Sequence, residues 1–224
     1  MMVIEINNLE KAYHGKHGEY PVFSNLNINV AKGDFVAIKG KSGCGKSTLL
    51  KIIGCIEPFN NGRYSLEGQN IAELSESKLA NIRNKKIGFV FQNFNLIKAY
   101  TVYENVEVPL GYAGFSKKER KEIVSSLLER VGLSDKVDSF PEQISGGQQQ
   151  RAAIARALTN KPEIILADEP TGNLDEENRD IVMKLFRELN KDGITIIMVT
   201  HDEHAAQYAK RIVDFRDLIN KQDE

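Results

Sequence analysis

The chain has no tryptophan and only two cysteines among its 224 residues. Cys44 and Cys55 stand in no Cys-x-x-Cys pair and beside no histidine cluster, which argues against a zinc site and a disulfide framework and leaves two reduced thiols as the expectation. Cys44 does lie beside Lys46 inside the Gly-rich loop, which makes it a candidate for an oxidation-sensitive brake on nucleotide binding. No stretch approaches the roughly 18 consecutive apolar residues of a membrane span. Met1-Met2-Val3-Ile4-Glu5 offers no basic region ahead of an apolar run, so no signal peptide is expected. Excess charge is missing too: the formal net charge is -1, which gives no bulk electrostatic case for a nucleic-acid partner. Internal repeats, low-complexity tracts and flexible linkers are absent.

What is present is enough chain for one domain with a full core, or two small ones. Residues 3–6 read as a strand, and residues 22–30 alternate apolar and polar side chains as a half-buried strand does. Lys32-Gly33-Asp34 is a turn, and Phe35-Val36-Ala37-Ile38 a short buried strand leading into a Gly-rich loop and then a helix over residues 46–53. Turn signals at Asn60-Asn61-Gly62-Arg63 and Glu67-Gly68-Gln69 bracket a short strand at residues 64–66. Residues 87–91 form another core strand. Ser116 is placed to cap a helix over residues 117–131 that Gly132 ends, and a second helix begins at Gly147 or Gln148 and runs to Leu158. The apolar runs at residues 164–167 and 194–199 suit strands buried on both faces of a parallel sheet, with a crossover helix over residues 177–189 between them. The expected class is α/β: a parallel core, peripheral antiparallel strands, and a helical insertion over about residues 93–147.

Gly40-Lys41-Ser42-Gly43-Cys44-Gly45-Lys46-Ser47-Thr48 fits G-x-x-x-x-G-K-[ST]. Its glycines let backbone N–H groups approach phosphate, and the helix that follows adds the positive end of its dipole. Lys46 is expected to bridge the β- and γ-phosphates of a nucleoside triphosphate, with the Ser47 hydroxyl on Mg²⁺. Asp168 ends a buried strand, where a carboxylate can hold Mg²⁺ through water, and Glu169 is placed to polarise the attacking water. Gln92 follows another strand, where its neutral amide can touch both metal and water. His201 follows a third, within reach of a γ-phosphate.

Together these elements resemble the nucleotide-binding subunit of an ATP-binding cassette (ABC) transporter, over nearly the whole chain and in that family's order. Gly40 to Thr48 matches Walker A, Gln92 the Q-loop, Ile164 to Asp168 Walker B, Glu169 the catalytic glutamate, and His201 the switch histidine. Ile144-Ser145-Gly146-Gly147-Gln148 matches the signature Leu-Ser-Gly-Gly-Gln with Ile for Leu, and Asn173-Leu174-Asp175 falls at the D-loop. The resemblance implies a P-loop NTPase (RecA-like) core, within residues 1–92 and 160–224, with a peripheral antiparallel β subdomain and an inserted helical subdomain in a single nucleotide-binding domain over 1–224. It implies that Ser145, Gly146, Gly147 and Gln148 contact the γ-phosphate held by a second copy, that Asp175 lies at that interface, and that Tyr13 stacks on adenine. ATP and Mg²⁺ are the implied cofactors, and ATP hydrolysis the implied reaction. One departure concerns the C-terminus: the family often ends in a hairpin with Asp-Gly at its turn, whereas Leu218 follows Asp217 here, and no further regulatory domain is expected.

Val90-Phe91-Gln92-Asn93-Phe94-Asn95-Leu96-Ile97, Thr101-Val102-Tyr103-Glu104-Asn105-Val106, Gly147-Gln148-Gln149-Gln150-Arg151 and Thr171-Gly172-Asn173-Leu174-Asp175 resemble one branch, the lipoprotein-release, macrolide-export and antimicrobial-peptide-resistance ATPases. That branch implies an ATP-dependent homodimer on the inner face of the cell membrane, driving a permease subunit in a separate chain by export or mechanotransmission. Phe94, Leu96, Ile97 and Tyr100 form an apolar cluster in the region that receives the permease in that family. The alternative is a regulatory ABC ATPase without transport, such as a controller of cell-wall hydrolases at division. Translation or repair ATPases fit less well, since the chain has neither a second cassette nor a coiled-coil insertion.

Overall fold

The computed structural model describes residues 1–16 and 18–219. In chain order the strands are β1 (Met2–Gly15), β2 (Gly18–Ala31), β3 (Phe35–Lys39), β4 (Asn61–Leu66), β5 (Gln69–Asn70), β6 (Ile87–Val90), β7 (Ile164–Asp168), β8 (Thr195–Thr200) and β9 (Arg211–Asp214). The helices are α1 (Lys46–Ile53), α2 (Glu76–Lys85), α3 (Val102–Ala113), α4 (Lys117–Arg130), α5 (Gly146–Leu158), α6 (Glu176–Lys191), α7 (Glu203–Ala206) and α8 (Phe215–Ile219).

Two sheets result. One is antiparallel with order β2-β1-β4-β5, the other five-stranded with order β6-β7-β8-β3-β9. Every pairing in the second sheet is parallel. Its inner strands β3, β7 and β8 and the edge strand β6 read as largely apolar runs because each feeds two cores at period two, whereas β9 at the other edge is half exposed. Val36, Ile38, Ile164, Leu166, Ile197 and Val199 point into a core shared with α1 and the antiparallel sheet. Phe35, Ala37, Ile165, Ala167, Ile196 and Met198 point the other way, into a core shared with α3, α4, α5 and α6. Within α6 the buried positions Val182, Met183, Leu185, Phe186 and Leu189 keep helical spacing on that side.

Several boundaries differ from the pattern reading. β1 extends to Gly15 and not to residue 6, since it pairs with β2 along its length, through register shifts, and with β4 on its other side. Its polar outer positions hide that length from an apolarity count. α3 carries Pro109, which interrupts the helical pattern, while a capping box of Thr101 and Glu104 starts it. α2 buries only Ile82, so it too carries almost no apolar periodicity. Where an Asp-Gly hairpin is missing, β9 pairs with β3 and α8 follows directly, with Phe215 and Leu218 buried; residues 220–224 lie outside the described part.

The close packing of α5 on β6 depends on Gly88. A Cβ there would lie 2.5 Å from the Ala157 carbonyl oxygen. Gly88→Ala should therefore cost about 1–3 kcal/mol of stability as an overpacked core site. A urea titration is expected to show a lower midpoint at unchanged slope, and a wild-type midpoint would contradict this account.

Candidate functional site

Because all strands of the second sheet run the same way, their C-terminal ends meet at one edge, where α/β sheets bind ligands. Lys39 ends β3 beside Thr200 of β8, and Asp168 of β7 lies beside Val199. The loop after β3 climbs into α1 through Gly43 (φ 77°) and Gly45 (φ 105°), a conformation that favours glycine. Gly45 also lies against neighbouring chain, since a Cβ on it would meet Val22 Cγ1 at 2.9 Å. No side chain caps α1, so the amide groups of its first turn face the loop's concavity, ready for an anion. Lys46 is buried and donates from Nζ to the carbonyl oxygens of Gly40 at 2.7 Å and Lys41 at 2.8 Å. Cys44 Sγ lies 3.9 Å from the same ammonium.

The Ser47 hydroxyl donates to Asp168 Oδ1 at 2.8 Å. These two hard oxygen groups fit Mg²⁺, which commonly takes one or two protein ligands and fills its octahedron with phosphate and water oxygens. Burial raises the Asp168 pKa, the Ser47 hydrogen bond opposes the rise, and neighbouring Glu169 adds to it. Glu169 itself has φ 45°, a costly backbone for a non-glycine residue and one found mostly where function demands it. Its N–H donates to Val199 O at 3.0 Å. His201 lies on it: the His201 N–H donates to Glu169 Oε2 at 3.3 Å, and His201 Nδ1 is 2.9 Å from Oε1.

Tyr13, Gly40, Lys41, Ser42, Gly43, Gly45, Lys46, Ser47, Thr48, Gln92, Glu169 and His201, together with Val22, line one cavity of about 680 Å³. Cys44 and Asp168 lie just behind it, each bonded to a lining residue. Ser145, Gly146, Gly147, Gln148 and Asp175 do not border it. They form a second assembly at the N-terminus of α5. Ser145 accepts from the Gln148 N–H at 3.3 Å while Gln148 Oε1 accepts from the Ser145 N–H at 2.9 Å, a capping box. Asp175 caps α6, accepting from the Asn178 N–H at 2.8 Å, and also accepts from Asn178 Nδ2. Asn178 in turn packs on Gly147, where an added Cβ would fall 1.9 Å from Asn178 Oδ1. The two assemblies are joined by Asn173, whose Nδ2 donates to Gln92 O at 3.1 Å.

Pattern reading missed Val22, Asn178 and three further residues around these loops. Arg156 donates to the carbonyl oxygens of Phe94 at 2.8 Å and Asn95 at 2.6 Å, both residues with positive φ. Buried Asn105 bonds Ile97, Tyr100 and Thr101. Gln150 donates to Pro170 O at 2.7 Å. Their one sequence signal is a polar residue at a buried helical phase. Of the apolar cluster after Gln92, Ile97 and Tyr100 are exposed, while Leu96 packs against the second core.

A model of the ABC transporter family matches residues 23–172. The macrolide export ATP-binding/permease protein MacB of Syntrophobacter fumaroxidans is 47% identical over 222 residues, covering 98% of this chain and 31% of that protein. The chain thus spans about a third of the length of such relatives. The uncharacterized ABC transporter ATP-binding protein YvrO of Bacillus subtilis is 47% identical over 215 residues, covering 96% of this chain and 94% of that one. Among solved structures, the dimeric post-hydrolysis state of the ATP-binding cassette MJ0796 bound to ADP and Pi superposes with a TM-score of 0.88 at 42% identity, over 94% of this chain and 93% of that one.

The raised Asp168 pKa carries a sign. Below the pKa of the unfolded carboxyl, the group is neutral in both states and burial costs no charge. As pH rises through the raised folded value, ionising a half-buried group beside Glu169 costs stability. Asp168→Asn is therefore expected to raise the unfolding midpoint of the nucleotide-free protein at neutral pH. The gain should shrink as pH falls into the carboxylate range, while ATP turnover is lost. An equal or lower midpoint at pH 7 would refute the burial account.

Proposed function

Because the chain belongs to the ABC transporter family and carries its ATPase cassette, we propose that two copies close face to face around two ATP molecules and drive a membrane permease. The observation that supports this reading is the division of the site. The phosphate loop, Gln92, Glu169 and His201 line one cavity, and the Ser145 to Gln148 surface opens outside it. A helix N-terminus with two glycines and a serine hydroxyl is a second anion-binding surface, and within one chain it has no phosphate to meet. A second copy, turned by a two-fold axis, supplies one, and the dimeric MJ0796 cassette provides a precedent for such pairing.

In this reading the amides of the first turn of α1 and the Lys46 ammonium hold the phosphates, and Tyr13 stacks on adenine. Ser47 and Asp168, with Gln92, hold Mg²⁺, which would neutralise phosphate charge when bound. Glu169 orients and polarises the attacking water, and the His201 imidazole that lies on Glu169 reaches the γ-phosphate. Losing that phosphate removes the contacts with the partner's Ser145, and the pair parts, a population shift driven by the ligand. Residues 93–147 form the helical unit that carries this surface, and exposed Ile97 and Tyr100 face the permease. Relatives named for macrolide export favour a permease of that type, on the inner face of the membrane. A separate permease chain fits the Bacillus subtilis relative, an ATP-binding protein whose length this chain nearly spans.

The test is a size measurement of Glu169→Gln with and without Mg²⁺-ATP. This variant should bind ATP, hydrolyse it at less than about a hundredth of the wild-type rate, and shift from monomer to dimer. Adding Ser145→Ala should abolish the shift. Normal turnover by Glu169→Gln would remove Glu169 from its role, and a shift that survives the change at Ser145 would remove the signature surface from the interface.

A further inference from the structure

Lys11 lies on β1 two residues before Tyr13 and is only 7% exposed, an uncommon state for a lysine. Its ammonium has three N–H groups to satisfy. It donates to Pro58 O at 2.8 Å and lies 3.1 Å from Glu57 Oε1. On its remaining side it sits 4.7 Å from the centroid of the Tyr13 ring. The loop that supplies Glu57 and Pro58 is itself fastened to β1. The Ala12 N–H donates to Asn60 Oδ1 at 2.8 Å, and the Asn60 N–H to Glu10 O at 2.9 Å.

The Tyr13 ring is thus held from several sides. Lys11 backs it, the Glu57 carboxylate beside its hydroxyl raises its pKa, and its hydroxyl lies 3.5 Å from Thr48 Oγ1 at the end of the phosphate loop. Burial works against an ionised Glu57, but the neighbouring Tyr13 hydroxyl and Lys11 ammonium bring its pKa below the usual range. Even so, Tyr13 is 42% exposed and lines the nucleotide cavity. An exposed tyrosine held this firmly loses little rotamer freedom when a ligand stacks on it, and that saving appears as affinity. A cation behind the ring also draws π density toward itself, which leaves the open face better disposed to an electron-rich purine.

We propose that Lys11, anchored by Glu57, is a positioning residue for the nucleotide base: it clamps the Tyr13 ring from behind as a preformed stacking platform, and so sets affinity for the base and not for the phosphates. The proposal rests on the reading that Tyr13 stacks on adenine.

The experiment uses two probes, the non-hydrolysable imido analogue of ATP and inorganic tripolyphosphate, titrated calorimetrically into the full chain, together with steady-state ATP turnover. Lys11→Met is expected to weaken the imido analogue about three- to tenfold and to leave tripolyphosphate unchanged. The KM for ATP should rise by the same factor at constant kcat. Lys11→Arg should retain most of the affinity. Lys11→Met with Glu57→Gln, which leaves no unpaired buried charge, should fold and show the same selective loss. On a Tyr13→Ala background, Lys11→Met should have no further effect, since both act through one ring. Unchanged affinity for the imido analogue in Lys11→Met overturns the proposal. So does an equal loss for both probes, which would make Lys11 a staple of the fold, and so does full additivity with Tyr13→Ala. Retention of full affinity by Tyr13→Ala alone would instead overturn the stacking reading beneath it.

Discussion

The hydrogen bond from Ser47 to Asp168 joins the helix after the phosphate loop to a strand two places away in the sheet, across β8. It needs β3 and β7 to run the same way and end at the same edge, and the parallel β8 between them brings His201 to that edge as well. The rest of the site hangs on that alignment. The parallel arrangement puts the loops after β3, β6, β7 and β8 around one cavity, so that a lysine, an amide, two carboxylates and an imidazole from distant parts of the sequence converge there. It also requires strands buried on both faces, and hence the two cores whose side chains alternate along β3, β7 and β8. An antiparallel neighbour between β3 and β7 would send one of these groups to the opposite edge.

Three residues beside the site hold left-handed backbone, and each has fixed partners. Glu169, with φ 45°, donates its N–H to Val199, while its carbonyl accepts from Gly172. Phe94 and Asn95, with φ 59° and 48°, have their carbonyls held by Arg156. Such conformations persist only where surrounding structure over-determines them. Both lie in segments that lead from the cavity toward the α5 surface, where Phe94, Asn173 and Leu174 approach Gly146.

How much of this could be read in the chain follows from what kind of signal each part leaves. The phosphate loop is legible because its glycines and lysine answer to local geometry, and β3, β6, β7 and β8 because double burial makes them largely apolar; β9, bounded by Arg211 and Asp214 and half exposed, is not. The N-terminus of α5 is legible through Ser145 and Gln148, whose capping box is local. α2 was not, because it buries one residue, and α3 was obscured by Pro109, although Thr101 and Glu104 announced its start. β1 was cut short because its outer face is polar and its pairing is set by strands distant in sequence. Lys11, Asn105, Gln150 and Asn178 were invisible for a different reason. Each is a polar residue packed against a segment outside its own helix or strand, and a pattern in one dimension does not say which polar residue turns inward.

Gln150 shows what such a residue can carry. It sits five residues beyond Ser145 on α5, about one and a half turns or roughly 7 Å along the helix. Its side chain, fully buried, donates to the carbonyl of Pro170, the residue after Glu169. In the proposed pair, Ser145 meets the phosphate held by the partner, while Glu169 acts on the phosphate held in its own chain. The first turns of α5 therefore link the two nucleotide sites, with the capped N-terminus at Ser145 and the buried hydrogen bond of Gln150 a little further along. A helix is stiff over that length. Displacing its N-terminus moves Gln150 with it, and Pro170 must either follow or lose its buried partner, which costs more than an exposed bond would. The two sites are then coupled through packed secondary structure within each chain as well as across the interface, and that coupling is reciprocal by linkage.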